Sequence, residues 1–261
     1  MARLFDDASS EYLDYSGAIL SSVPMTFAAW VKSDTASLGQ WIIAISAANW
    51  PGSGSYFVLY LSDTDYLSAA SYKAYAEAIT TTQWSTGTWH HAAGVFATTS
   101  SRSVYLDGGG KGTNATSSTP SSLDATTIGA GYWDQAVNSS PFSGSIAEAA
   151  IWNVALTDAE VAILATGVSP RSVRPESLVF YVPLVRDDDE DLVGGLSLTP
   201  INTPSISAHP RVFYLATPQI GKTAAAGGVI AEIATVSWAS VGQFAGVAEA
   251  AIAQIAGVIA N

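Results

Sequence analysis

Within Phe142–Gly167 (FSGSIAEAAIWNVALTDAEVAILATG) the spacing of apolar residues changes once, from alternation to helical period. Ile146, Ala150 and Trp152 alternate along a strand opened by Gly144, whereas Leu156, Val161 and Leu164 recur at helical spacing. Thr157 or Asp158 can cap the helix, Glu160 lies in its first turn and Gly167 follows its last periodic residue, so both ends carry their own chemistry. One strand hands over to one short helix, and a helix this short must bury its apolar stripe against a sheet. The segment predicts a lid.

The remainder reads as strands. Arg3–Tyr15 supplies one or two edge strands, Thr26–Lys32 and Gln40–Ser46 are dense apolar runs, and Tyr56–Ser62 is apolar on both faces, as in a central strand. Tyr66–Trp84 alternates Ala, Tyr and Thr over two more exposed strands. Trp89–Ala97 is a stronger run, and Ser103–Leu106 before Asp107-Gly108-Gly109-Gly110 is a hairpin signal. Leu178–Leu184 and Leu196–Ile201 complete the set. Charged residues make up only 12% while Gly, Ser, Thr and Ala abound, which suits short strands and many turns: the composition is all-β.

Three of these stretches together resemble the concanavalin A-like lectin/glucanase superfamily, in its laminin G and pentraxin-like branch. Phe142, Gly144, Ile146, Ile151, Trp152, Asn153, Ala155, Leu156, Thr157, Glu160 and Val161 follow the closing strand-and-helix motif of that group. TFAAWVK resembles its first long core strand, and TWHHAAGVF with RSVYLDG its central hairpin. The resemblance implies a two-sheet antiparallel jelly-roll sandwich over residues 1–212; beyond it the composition turns almost wholly to Ala, Gly, Val and Ile, which reads as a linker at 213–229 and a tail at 230–261. It also implies that calcium and glycans are candidate ligands.

With 22 acidic against 10 basic residues, net charge −12, a nucleic-acid or anionic-membrane surface would meet general repulsion. No cysteine is present, which excludes disulfides and thiolate metal sites, and MARLFDDASSEYL lacks the apolar core of a signal peptide. A product made in a bacterial cytoplasm and released by lysis, as a phage virion component is, fits both features.

Candidate sites divide by chemistry. The loop YWDQAVNSSP offers Trp133 for stacking on a sugar and Asp134 and Asn138 for its hydroxyls, with Trp50 in a second loop; the competing reading makes Trp133 a cover for the sandwich edge. Asp187, Asp189 and Asp191 in RDDDEDLVGG could offer oxygens to calcium, although the run lacks the spaced glycine and terminal glutamate of an EF-hand loop and equally suits a solvated turn. His90 and His91 point to opposite faces of a strand and cannot grip one metal, so a histidine bonded to a neighbour is the simpler reading. The paired carboxylates of the superfamily's laminarinase-like enzymes, E-x-D-x-x-E, are absent; Glu148 is the single acid on the Phe142 strand and no G-x-S-x-G occurs. The chain reads as a non-enzyme.

From Ile230 an eleven-residue repeat runs three times, with large apolar residues at Ile230, Ile233, Val236, then Val241, Phe244, Val247, then Ile252, Ile255, Val258. Eleven residues approach three helical turns, so a helix keeps all nine on one slowly drifting stripe. Gly242, Gly246 and Gly257 oppose that helix, and an extended segment docked on a neighbour is the competitor. A membrane span is disfavoured by Glu232 and Glu249 and by the want of flanking basic residues. An apolar stripe of this kind predicts assembly with sister subunits or other virion proteins. The sequence thus favours a virion structural protein that displays a sandwich on the particle, as capsid decoration or tail fibre, and binds host glycans if it carries a pocket. A bacterial carbohydrate-binding module or glycan-active enzyme, and a membrane-tethered lectin, are the alternatives.

Overall fold

The computed structural model describes residues 2–48, 55–133, 136–137, 140–185 and 189–213. All belong to the first of two units into which the chain divides, Met1–Ala216; the second is Thr217–Asn261. The nine tail positions from Ile230 to Val258 lie outside the described residues.

The strands, in chain order, are β1 (Ala2–Phe5), β2 (Tyr12–Tyr15), β3 (Met25–Ser33), β4 (Gln40–Ser46), β5 (Tyr56–Leu61), β6 (Tyr66–Tyr72), β7 (Ala76–Gln83), β8 (His90–Thr98), β9 (Ser101–Leu106), β10 (Gly109–Asn114), β11 (Ala125–Ile128), β12 (Tyr132–Trp133), β13 (Ala136–Val137) and β14 (Gly144–Trp152). Helix α1 (Asp158–Ala165) follows, then a 3₁₀ turn (Pro170–Ser172), β15 (Leu178–Val182), β16 (Thr199–Ile201) and β17 (Ser205–Ser207). One sheet runs β10-β9-β8-β3-β14-β1-β17, with β15 also paired to β14; the other runs β16-β2-β11-β4-β5-β6-β7. Every pairing between these strands is antiparallel. The two sheets face each other across one apolar core that includes Phe5, Leu13, Phe27, Ile43, Leu59, Phe96, Ile146 and Phe180. This is the expected jelly-roll sandwich, with β5 interior to its sheet as the sequence implies; β1 and β2, read as edge strands, are instead each flanked on both sides, because β17 and β16 pair outside them.

Strand β14 departs from the simple alternation. Between Ala147 and Ala150 the register against β3 shifts by one residue, a β-bulge, and Glu148 within it has φ +55. A bulge moves the residues beyond it to the opposite face. Ile146, Ala149 and Ile151 therefore face the inter-sheet core, whereas Ala150 and Trp152 face outward under the helix. The shared face read for Ile146, Ala150 and Trp152 is corrected on this ground. The bulge also divides one edge of β14 between two partners: β1 takes Gly144–Ile146 and β15 takes Ala149–Trp152.

The lid forms as its caps predict. Thr157 accepts from Glu160 N–H while the Glu160 carboxylate accepts from Thr157 N–H at 2.8 Å, a reciprocal capping box. Val161 and Leu164 pack onto the outer face of the eight-stranded sheet with Ala93, Val95, Tyr105, Ala150, Trp152 and Leu178. Trp152 Nε1 donates to the Val173 carbonyl at 2.8 Å, so its one polar atom is satisfied in burial. Two expected strands are shorter than read. Pro183, without an N–H, stops the Leu178 strand at Val182, and only Thr199–Ile201 of Leu196–Ile201 pairs with β2.

Candidate functional site

The outer face of the seven-stranded sheet is built differently. Along β5 the side chains alternate between hydrocarbon pointing to the core (Phe57, Leu59, Leu61) and Tyr56, Val58 and Tyr60 pointing outward. Neighbouring strands place Trp41 opposite Tyr60 and Tyr72 opposite Tyr56. The rings touch: Trp41 and Tyr56 have centroids 4.9 Å apart, Tyr56 and Tyr72 stack at 5.5 Å, and Tyr72 lies 6.3 Å from Tyr75 in the β6–β7 turn. Trp41 and Tyr56 are buried, Tyr60 and Tyr72 half-buried, and Tyr75 is 50% exposed. The cluster therefore grades from a packed base to an accessible rim.

Its polar groups converge on one carboxylate. Tyr60 OH donates to Glu77 Oε1 on β7, and the Tyr75 and Tyr60 hydroxyls are 3.1 Å apart. Burial raises the Tyr60 phenol well above its ordinary value, and its bonds to Glu77 and Tyr75 add to that. Tyr75 is pushed up to about 12, by burial first and by the Glu77 and Asp63 charges, against the Tyr60 hydroxyl bond. Tyr56 is raised by burial as well. These phenols are thus neutral hydrogen-bonding groups throughout the physiological range. Flat ring faces beside hydroxyls and a carboxylate can stack on the C–H face of a polyhydroxylated ligand and bond its hydroxyls.

The loops bearing the sequence-derived glycan candidates start and end beside this face. The β4–β5 loop containing Trp50 leaves after Ser46 and returns at Tyr56, held by Ala47 N–H donating to the Ser55 carbonyl at 2.9 Å. The loop with Trp133, Asp134 and Asn138 is anchored on Trp41: Trp41 N–H donates to the Ser140 carbonyl at 2.9 Å, and a Cβ on Gly131 would fall 1.9 Å from the Trp41 ring. Trp133 belongs to the β12–β13 hairpin, while Trp50, Asp134 and Asn138 lie outside the described residues. On the far side of the face Tyr132 OH donates to Asp14 Oδ1 at 2.9 Å.

The acidic run does structural work where it is described. Asp189 is buried and accepts from Arg3 Nε at 2.8 Å, with Arg3 Nη2 closing the bidentate pair. Asp191, also buried, accepts the backbone N–H groups of Tyr181 (2.8 Å), Val193 (3.0 Å) and Gly194 (2.8 Å). Asp187 lies outside the described residues. Among the described residues no three His, Asp or Glu groups gather as a metal site would require. The Asp189 and Asp191 carboxylates, weighed from sequence as calcium ligands against a solvated turn, are engaged by a guanidinium and by backbone amides.

The two histidines divide as their alternation demands. His90 Nδ1 is 2.7 Å from Asp107 Oδ2, and Nε2 lies 3.2 Å from both the Ser85 hydroxyl and the Ser85 N–H. The spacing is that of an Asp–His–Ser relay, yet the lone pair that would take a serine proton already accepts a backbone N–H, so the imidazole closes a turn. His91 is buried on the outer face of the eight-stranded sheet with its ring 5.4 Å from Trp30.

Fold and face together define a lectin-type sandwich, one sheet sealed by a helix and the other presenting aromatic rings. The chain belongs to the concanavalin A-like lectin/glucanases superfamily, whose profile matches residues 7–162. No curated protein matches it. Among solved structures it is similar to a Bacteroides ovatus protein described as carbohydrate-binding, at 19% identity and TM-score 0.51 over 78% of this chain; it spans 61% of that protein's length. It is also similar to the CBM40 of the Ruminococcus gnavus IT-sialidase bound to α2,3 sialyllactose, at 14% identity and TM-score 0.50, over 56% of this chain and 84% of that one. A heptameric SAP-like pentraxin from Limulus polyphemus matches at 16% identity and TM-score 0.45, over 62% and 78%. At these identities the likeness is one of fold.

Proposed function

We propose that this protein is a non-enzymatic glycan-binding sandwich that takes its ligand on the outer face of the seven-stranded sheet. The observation that carries the reading is the convergence of Trp41, Tyr56, Tyr60, Tyr72 and Tyr75 around Glu77. The sialyllactose bound by the similar Ruminococcus module, and the description of the Bacteroides protein as carbohydrate-binding, support it. Binding without turnover is supported by the sequence, which lacks the E-x-D-x-x-E carboxylates of the superfamily's laminarinase-like hydrolases.

The sandwich would serve as the outward, acidic part of a virion structural protein, with Ile230–Val258 binding sister subunits or other particle proteins and host glycans as the ligand. The cysteine-free sequence and the apolar repeat support that placement. A glycan array on the full chain, followed by titration of the best hit, tests the first part: Tyr75→Ala and Glu77→Gln should each weaken binding at least tenfold, about 1.4 kcal/mol, and no retained glycan at millimolar concentration refutes it. Light scattering tests the second, since Phe244→Asp with Ile255→Asp in the full chain should reduce a defined oligomer to a monomer.

A further inference from the structure

The bulge that redirects β14 also buries a carboxylate. Glu148 has φ +55, a left-handed conformation that non-glycine residues adopt at a cost, and it is 3% exposed. Its Oε2 accepts from Tyr181 OH at 2.7 Å, and its Oε1 lies 3.2 Å from His209 Nε2. His209 comes from the last described stretch, the strap that follows β17. Its Nδ1 lies 2.7 Å from the Pro210 carbonyl oxygen, and Nε2 is also 3.4 Å from the Pro183 carbonyl oxygen. Both ring nitrogens therefore face acceptors. A neutral imidazole has one N–H and one lone pair, so in that form one nitrogen would set its lone pair against an oxygen. The imidazolium satisfies both.

We propose that His209 and Glu148 form a protonation latch: the imidazolium fastens the strap Ser205–Phe213 to the bulge of β14, and loss of its proton releases the strap at its middle. The strap is held by backbone at each end. Before His209, β17 pairs with β1; after it, Phe213 N–H donates to the Gly167 carbonyl at 2.8 Å and Ser169 N–H to the Phe213 carbonyl at 2.9 Å. The latch lies between these two clamps, so residues 208–212 are freed first. Because the strap carries the chain toward Thr217, its state decides how firmly the chain is held before it leaves the sandwich unit.

Around His209, β14 presents Glu148, β15 presents the neutral Tyr181 hydroxyl, and the amino terminus adds a positive charge. Burial opposes the imidazolium, but the hydrogen bonds to Glu148 and Pro210 and the Glu148 charge outweigh it, and the group titrates above the ordinary histidine value of 6.5; the amino terminus pulls the other way. The direction fixes the sign. The latch is closed below pH 6.5 and opens as pH rises through the raised value.

Hydrogen exchange of the full chain, read by mass spectrometry and corrected for intrinsic exchange rates, tests this. Between pH 6 and 9 the protection of peptides covering 205–213 should fall at least fivefold while that of β3 and β8 stays constant. His209→Gln should show the low protection at every pH, and His209→Lys, which keeps its charge, should show high protection without the pH step. An NMR titration of the wild-type imidazoles reads the same event without a variant and should place His209 above 6.5. A His209 titration at or below 6.5, or wild-type protection that is the same at pH 6 and 9, overturns the latch.

Discussion

The two sheets present their outer faces to different neighbours. The eight-stranded sheet is covered by the chain itself: α1 seals it with Val161 and Leu164, and its phenol Tyr105 is tied to the lid by a 2.7 Å bond to Asp158 Oδ1. Among the described residues no helix covers the seven-stranded sheet, and its aromatic groups form a graded cluster whose rim, Tyr75, is half exposed. An apolar face that finds a lid within its own chain stabilises the fold; one finished in tyrosine keeps hydrogen-bonding capacity for something outside. Substitutions on the first face should change melting, and substitutions on the second should change binding.

The largest effect belongs to the sealed face. Trp152→Ala empties a fully buried site under the lid and should cost about 3–5 kcal/mol, seen as a large fall in the thermal midpoint with glycan affinity of the folded fraction unchanged. Next comes acid. Burial, opposed only by the charge of Asp107, lowers the His91 pKa from 6.5 to about 4, so the fold holds it neutral while the unfolded chain protonates it. Its contribution is therefore complete above pH 6.5 and lost as pH falls toward 4, about 3 kcal/mol in denaturant titrations. His91→Phe should flatten that slope.

On the other face Tyr60→Phe removes the donor to Glu77 and should weaken glycan binding about tenfold while stability moves by less than about 1 kcal/mol. Equal losses of stability and affinity in Tyr60→Phe would erase the contrast between the faces. Smallest is Thr157→Ala, which removes half of the capping box and should cost about 1 kcal/mol, with binding untouched.

Much of the sandwich was legible because it is written in local periods. The capping box, the Asp107–Gly108 turn and the central position of β5 all follow from residues within a few positions of one another. The bulge at Glu148 was not, because nothing in GSIAEAAIW marks which residue takes a positive φ; its neighbours on β1, β3 and β15 decide that. The setting of the acidic run was hidden for a similar reason. Its partner for Asp189 is Arg3, 186 residues away, and no local pattern announces that pair. The aromatic face lay between these cases. The alternation of phenol against hydrocarbon along Tyr56–Leu61 was visible, but it reads as two apolar faces until the outer one is seen to gather its rings around Glu77.

The divided edge of β14 has a consequence for how the molecule is made. Arg3 pairs with Ile146, so β1 waits while 143 residues (146 minus 3) are added, and β15 fills the rest of that edge only afterwards. At a synthesis rate of roughly 5–20 residues per second the wait is on the order of ten seconds. During that time the first strand is an unpaired edge, open to any neighbouring chain that offers a strand. The sheet that ends up sealed is therefore the one whose assembly stays open longest, and crowded synthesis should trap chains there before it disturbs β5 and β6, which pair with their immediate neighbours in sequence.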